Sequence, residues 1–210
     1  MPGSSRSGAV RMLVDLSKFD NSWYHPGRNR LIQALWFFLG LPLLRCTIIP
    51  FSAFRVSVLR VFGARVGRRV VIKPGVRVKH PWLLSIGDFS WLGEDVWVDN
   101  LARVTLGSSV CISQGAYLCT GNHNWADVTF GLVTKPISLE DGSWVGARAT
   151  ICPGVTLRPG AVAGAGSVIT RDLPDCEIHS GNPARFIRMR QITDKPVRPD
   201  SSAEQTRRST

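Results

Sequence analysis

A neutral imidazole can take the proton of an attacking hydroxyl. Of the four histidines, His25, His80, His123 and His179, it is His123 that falls in a stretch, GNHNWADVTFGLVTKP from Gly121 to Pro136, set apart from the pattern around it. The separations among the four do not make the paired ligand spacing that zinc requires, so no metal is expected. Five cysteines, Cys46, Cys111, Cys119, Cys152 and Cys176, are odd in number and include no C-x-x-C pair. They read as small buried hydrophobes of a reducing compartment. The amino terminus, MPGSSRSGAVRMLVDLSKFD, lacks the apolar core of a signal peptide, and the expected setting is cytoplasmic.

A formal charge of +11 and a pI near 10.3 favour an anionic partner: nucleic acid, an anionic membrane surface or a phosphorylated small molecule. The charge gathers at Arg28, Arg30, Arg45, Arg55, Arg60 and from Arg65 to Lys79, then again at Arg185, Arg188 and Arg190. No compact basic helix with interleaved aromatics is present, so nucleic acid is not the expected partner. The apolar run Leu31 to Leu44 spans 14 residues and contains Pro42, short of the roughly 20 that cross a bilayer. Short helices are expected around 28–39 and 51–62, packed on the domain or its symmetry mates, or lying in the membrane interface with arginines at their edges. Residues 28–60 thus carry two open readings, packing within the protein or peripheral contact with the inner face of the membrane.

The elements that must position these groups come from an internal period of six. From Leu139 onward an aliphatic or small apolar residue recurs at Leu139, Val145, Ile151, Leu157, Ala163 and Ile169, often followed by a small or acidic residue such as Glu140, Gly146 or Gly164. Upstream, the same spacing joins Val66, Ile72 and Val78, then Ile86, Leu92 and Val98, then Leu106, Ile112 and Leu118. Four positions later come small or β-branched residues such as Val70, Val96, Ala116, Ala149 and Ser167. A helix would need apolar positions three and four apart, and the Gly, Pro and β-branched content opposes one. An antiparallel sandwich would alternate by two, with hairpin turns. A period of six fits one strand and turn of a triangular coil, in which the apolar positions point inward and glycine after the aliphatic residue permits a tight corner. One rung cannot bury its apolar side alone, so rungs must stack. About five rungs fit between Val66 and Ile169 at three hexads each.

The register breaks three times: near Lys79 to Leu84, around Asp99, Asn100 and Leu101, and most widely between Leu118 and Leu139. Residues that leave a stack are candidates for function. The widest break is the excursion loop that carries His123 and Trp125.

The segments FDNSWYHPGRNR, IKPGVRVKHPW, VDNLARVTLGSSVCISQGAYLCTGNHNW, SWVGARATICPGV, VAGAGSVITRDLP and GNPARFIR resemble those of hexapeptide-repeat acetyltransferases. Within that family the likeness is to colanic-acid-type exopolysaccharide enzymes and to the maltose, galactoside and nodulation-factor O-acetyltransferases. The resemblance covers about Phe19 to Ile192. It implies an all-β fold, a left-handed parallel β-helix, assembled as a homotrimer with acetyl-CoA in the cleft between neighbours and a sugar acceptor entering near the loop. His123 matches the catalytic histidine in its T-G-x-H context, and Asn100 a residue that holds the acceptor, with Asp99 and Trp125 beside these two as further acceptor contacts. Trp144 matches a residue lining the pantetheine cleft. Ala165 and Gly166 leave room for the donor's approach, and Arg171, Arg185 and Arg188 match basic residues facing the CoA phosphates. The oxyanion of the transfer needs donors, and the backbone N–H groups of Gly146 and Ala147 are the candidates. No acyl-enzyme is required, and Cys119 is not placed as a nucleophile. Asp127 or Glu140 could orient His123.

The expected organisation is a flexible amino terminus over 1–18, a helical apolar segment over 19–62, and the β-helix over 63–174 with its excursion at 121–136. An extension over 175–192 and a disordered tail over 193–210 follow. Two other readings stay open: acyl transfer to the amine of a sugar or antibiotic, and a β-helix scaffold without catalysis, which would need neither His123 nor CoA binding.

Overall fold

The computed structural model describes residues 13–193, and the tail assigned to 193–210 lies, after its first residue, outside the described residues. The period of six appears as a three-faced parallel β-helix. The first face stacks Arg65–Val66, Leu84–Ile86, Val104–Leu106, Ile137–Leu139 and Thr156–Leu157. The second stacks Val71–Ile72, Trp91–Leu92, Cys111–Ile112, Trp144–Val145 and Val162–Ala163, and the third Arg77–Val78, Trp97–Asp99, Tyr117–Cys119, Thr150–Ile151 and Val168–Ile169. Every ladder within these stacks is parallel, for example Trp91 beside Cys111 and Cys111 beside Trp144. The aliphatic member of each hexad points inward: Ile72, Leu92, Val98, Leu118, Val145 and Leu157 are fully buried. The small residue two positions ahead of it shares the interior, as Val96, Ala116, Ala149 and Ala161 do.

Glycine after the aliphatic residue has a different cause from the one expected. The left-handed corner residue is the third after the aliphatic one, and in this chain it is as often another type as glycine: Arg69, Phe89, Asp95, Ser109 and Arg148 have φ of 52° to 60°, alongside Gly75, Gly115, Gly154 and Gly166. The glycine in the next slot is required by stacking. A Cβ on Gly93 would lie 2.8 Å from the Gln114 nitrogen, and one on Gly146 would lie 2.6 Å from the Ala165 nitrogen. The backbone of the rung above leaves no space for it.

After the fifth rung, Glu177–Gly181 continues the second face and Ala184–Met189 returns antiparallel beside it, so the 175–192 extension caps the sheet. At the other end the 19–62 segment folds into short helices, Arg30–Leu35, Trp36–Gly40, Leu41–Arg45 and Ser52–Val61. Asn29 caps the first of them, its side-chain oxygen accepting from the Ile32 nitrogen at 3.0 Å. Trp36, Leu44 and Leu59 bury themselves against the base of the coil, and the Trp36 indole donates to the Val78 carbonyl at 3.1 Å. Residues 13–18, expected within a flexible terminus, are instead ordered in part: Leu16–Lys18 forms a single turn, and the Asp15 N–H donates to the Val128 carbonyl at 2.8 Å.

Arg55 fastens the helical segment. It is fully buried on the Ser52–Val61 helix and its guanidinium donates to the carbonyls of Cys46 (2.7 Å), Ile49 (2.6 Å) and Phe51 (3.4 Å). Replacing it by an apolar residue leaves those carbonyls without donors in a buried place. Arg55→Met is therefore expected to lower stability by about 2–5 kcal/mol in urea unfolding. Parent-like unfolding would show that the carbonyls find other donors.

Candidate functional site

The three breaks in register all fall on one edge of the prism, where the third face turns into the first. On the first rung the detour is His80 and the Pro81–Leu83 turn, on the second Asn100 to Arg103, and on the third Thr120 to Pro136. Polar side chains tie the detours together. Asn100 is fully buried, its Oδ1 accepting from the His80 N–H at 2.9 Å and its Nδ2 donating to the His80 carbonyl at 2.7 Å. Thr120, also buried, donates to the Asp99 carbonyl at 3.0 Å and accepts from the Ala102 N–H at 2.9 Å. Asn100 is thus a clamp between rungs, both ends of its amide being engaged by backbone.

The third detour is a β-hairpin. Gly121–His123 pairs antiparallel with Leu132–Thr134, and the Lys135 N–H closes the base on the Thr120 carbonyl at 2.9 Å. Its tip is shaped by Asn124 and Asp127: the Asp127 N–H donates to the Asn124 carbonyl, the Asp127 carboxylate accepts from the Thr129 N–H, and the Phe130 N–H donates to the Asp127 carbonyl. Phe130 is left with a positive φ of 51°, an uncommon conformation for a bulky residue. Its carbonyl lies 2.9 Å from the His123 Nδ1, and its ring stacks on the imidazole at 4.4 Å and 8°. A carbonyl only accepts, so Nδ1 carries the proton of the neutral ring and Nε2 holds the free lone pair. Phe19, from the amino-terminal segment, packs on the imidazole at 5.6 Å, tilted by 56°.

The orienting group is therefore the Phe130 backbone, not a carboxylate. Asp127 acts one step removed, by building the turn, and Glu140 sits away from the loop, 3.3 Å from Arg158. Trp125 is exposed at the hairpin tip. Cys119 ends the third-face strand with its thiol donating to the Gly121 carbonyl at 3.0 Å.

Beneath the hairpin, Asp99 is half-buried and held from two sides, by the Lys79 ammonium at 2.9 Å and by the Tyr117 hydroxyl at 3.0 Å. Burial, then Cys119 and the Asp99 charge, keep the Tyr117 phenol protonated far above its usual range. Tyr24 donates to the Leu101 carbonyl at 2.9 Å, its pKa pushed up to about 12 by burial and by the charge of Asp99. Trp97 stacks beside Tyr117 with the Arg77 guanidinium 4.7 Å from its ring. The Lys79–Asp99–Tyr117 network and the Phe19 contact carry no spacing signature in the sequence.

The remaining candidates lie elsewhere. Gly146 and Ala147 turn the second face into the third on the fourth rung, and Ala165 and Gly166 do so on the fifth, a different edge from that of His123. The Gly146 N–H is engaged by the Ala163 carbonyl at 2.7 Å, and only the Ala147 N–H is without a protein acceptor among the described residues. Gly166 is exposed, with open space where a Cβ would stand. Trp144 stands outward on the second face, donating to the Ser113 hydroxyl at 2.9 Å. Arg171 and Arg185 line one cavity of about 250 Å³ at the carboxyl-terminal cap, and Arg188 does not share it.

A model of the hexapeptide repeat of succinyl-transferase matches residues 136–171. The chain is 36% identical over 182 residues to WcaF of Escherichia coli K12, whose name assigns it provisionally to colanic acid biosynthesis as an acetyltransferase; the match covers 87% of this chain and all of that protein. The galactoside O-acetyltransferase of the same organism is 29% identical, covering 67% of this chain and 70% of the relative. The hexapeptide-repeat containing acetyltransferase VCA0836 of Vibrio cholerae has a TM-score of 0.70 at 26% identity, covering 78% of this chain and 95% of that one. Its complex with acetyl coenzyme A gives 0.68 at 23%, covering 77% and 88%.

The edge carries its own acid sensitivity. Burial, with Lys79 adding to it and Asp99 opposing, lowers the His80 pKa from 6.5 to about 4, and its Nδ1 is buried without a partner. Between those values the unfolded chain binds the proton and the folded chain does not. Stability is expected to fall as pH drops from about 6.5 towards 4 and then to level off in this contribution. His80→Gln should flatten that part of the profile in urea unfolding at stepped pH; an unchanged slope would assign it to other groups.

Proposed function

The chain belongs to the hexapeptide-repeat acetyltransferases, and from that membership we propose that it transfers an acetyl group from acetyl-CoA to a hydroxyl of a saccharide, with His123 as the general base. The observation that carries the role of His123 is its hydrogen bond to the Phe130 carbonyl, which sets Nε2 as the proton acceptor. As the hydroxyl oxygen forms its bond to the thioester carbonyl, Nε2 takes the hydroxyl proton. The tetrahedral oxyanion collapses, the carbon–sulfur bond breaks, and the departing CoA sulfur receives the proton from the imidazolium. The ester and free CoA leave, and the ring is neutral again. The Phe130 carbonyl holds the ring through both proton transfers and stabilises its charged form.

The acetyl-CoA complex of VCA0836 supports the choice of donor, and the names of the galactoside and colanic acid relatives support a saccharide acceptor in surface glycan synthesis. Trp125, exposed on the His123 hairpin, is the candidate acceptor contact, and Asp99 serves by holding the floor with Lys79 and Tyr117. The Ala147 N–H is the candidate oxyanion donor, with Trp144, Ala165 and Gly166 along the donor's path and Arg171, Arg185 and Arg188 at its phosphates.

Because His123 and the Ala147–Gly166 edge lie on different corners of one prism, a complete site needs two copies. A homotrimer supplies three such sites by setting one corner of each copy against another corner of its neighbour.

His123→Ala is expected to lower thiol release from acetyl-CoA by about 10²–10⁴-fold while acetyl-CoA binding persists. Co-expressing His123→Ala chains with chains blocked by Gly166→Trp should restore roughly a quarter of the parent's sites, since each mixed pair can join one intact half to the other. Full activity in His123→Ala would overturn the base, and no recovery on mixing would place the site within one chain. Transfer to amino sugars alone would replace the hydroxyl acceptor.

A further inference from the structure

The whole formal surplus of charge belongs to one segment. Between Asn21 and Gly87 there are 11 Arg and Lys and no Asp or Glu, while the rest of the chain carries 15 of each sign. Acids from later rungs reach back to Arg68, Lys73 and Lys79, and Arg55 and Arg60 donate to carbonyls. Arg28, Arg30, Arg45 and Arg65 are exposed and form no ion pair among the described residues.

The helices of the same segment are apolar on both sides. Trp36, Gly40 and Leu44, four apart, make the stripe buried against the coil. The opposite stripe of a helix packed on a water-soluble domain is ordinarily polar. Here it is Leu31, Leu35, Phe38 and Leu39, between 47% and 76% exposed. Phe37 and Phe38 stand 5.1 Å apart, and with Arg45, the exposed Ile48 and, from the second rung, the carboxylate-bearing Asp95 they border a cavity of about 750 Å³. Isolated exposed aliphatics are ordinary, but a contiguous apolar patch rimmed by cations calls for a partner that is apolar within and anionic at its boundary.

We propose that this face docks on an anionic lipid bilayer, with the Leu31–Leu39 outer stripe and Ile48 in the interface and Arg28, Arg30 and Arg45 against lipid phosphates. No helix among the described residues is long and apolar enough to cross a membrane, so the segment lies in the interface plane. Nucleic acid fits the cations but not the patch, whose phenyl and aliphatic side chains offer no donors for base edges. Two copies of this face set against each other would bring the same unpaired guanidiniums together, which disfavours self-association. The docking is independent of the transfer reaction and is read without it.

The test uses the full chain in vesicle flotation, with about one-third phosphatidylglycerol in phosphatidylcholine against phosphatidylcholine alone. The parent should float with the anionic vesicles and bind the neutral ones at least tenfold more weakly, and raising salt should weaken the anionic binding. Phe38→Ser with Leu39→Ser, and separately Arg30→Glu with Arg45→Glu, should each lower anionic binding about tenfold or more at an unchanged thermal midpoint. Absence of flotation, or parent-like flotation of the apolar variant, would overturn the proposal. So would a change in mass of that variant by light scattering, which would make the patch an interface between copies. Binding to single-stranded RNA that displaces vesicles and ignores the apolar substitutions would make the face a nucleic-acid surface instead.

Discussion

In a stacked parallel prism, a residue that does not fit the six-residue period has nowhere to go but outward. Each strand of two or three residues is held by the rung above and below, and the interior admits only the aliphatic residue and its small companion. An inserted residue cannot be absorbed by shifting register, because a shift would turn the whole inward set towards solvent. The chain expels its three insertions at the same corner, and the ejected backbone must then find hydrogen-bond partners of its own. Asn100 and Thr120 provide them, each bridging the detour of one rung to backbone of the rung below. The hairpin that carries His123 stands on that column, so the position of its imidazole depends on two buried polar side chains, Asn100 and Thr120.

The same constraint explains what could be read from the amino acids alone. Inward residues recur at a fixed interval, so faces, rung count and the excursion were legible from Leu92, Leu118, Leu157 and their equivalents. The glycines after them were legible as small but not for their reason: Gly93 and Gly146 are small because the neighbouring backbone passes within 3 Å of where a Cβ would stand, which is a property of stacking and not of the local turn. Asn100 has a structural part that was hidden in a related way. It matches an acceptor-holding residue of the family it resembles, and only the three-dimensional stack shows that His80, twenty positions earlier, engages both ends of its amide. The partner of His123 was invisible because it is a main-chain atom. Any residue at 130 has a carbonyl, and what aims this one is the left-handed turn built by Asn124 and Asp127.

Distribution over corners matters more than proximity in sequence. Gly146 and Ala147 lie within 25 residues of His123, yet one rung carries the chain round to another edge, and Ala165 and Gly166 return to that edge a rung later. Within a single copy the imidazole and the small-residue corner face different directions. In the proposed homotrimer, rotationally related neighbours would bring these corners together without any change of fold. Obligate assembly would then be a requirement of the chemistry as well as a source of stability.

The two ends of the solenoid differ in what they do with water. The carboxyl-terminal end is closed by a hairpin whose strands continue the second face, leaving Arg171 and Arg185 around a small hollow. The amino-terminal end is closed by helices that bury Trp36 and Leu44 but turn Phe38 and Ile48 outward, in a stretch from Asn21 to Gly87 without a single acidic side chain. Capping a β-helix requires only that one side of the cap be apolar. The second apolar side is therefore surplus to folding, and its free energy in water is unfavourable by the area it exposes. A cap that served stability alone would be expected to carry polar residues there. The retention of both phenyl groups beside unpaired guanidiniums places the burden of explanation on a contact outside the fold.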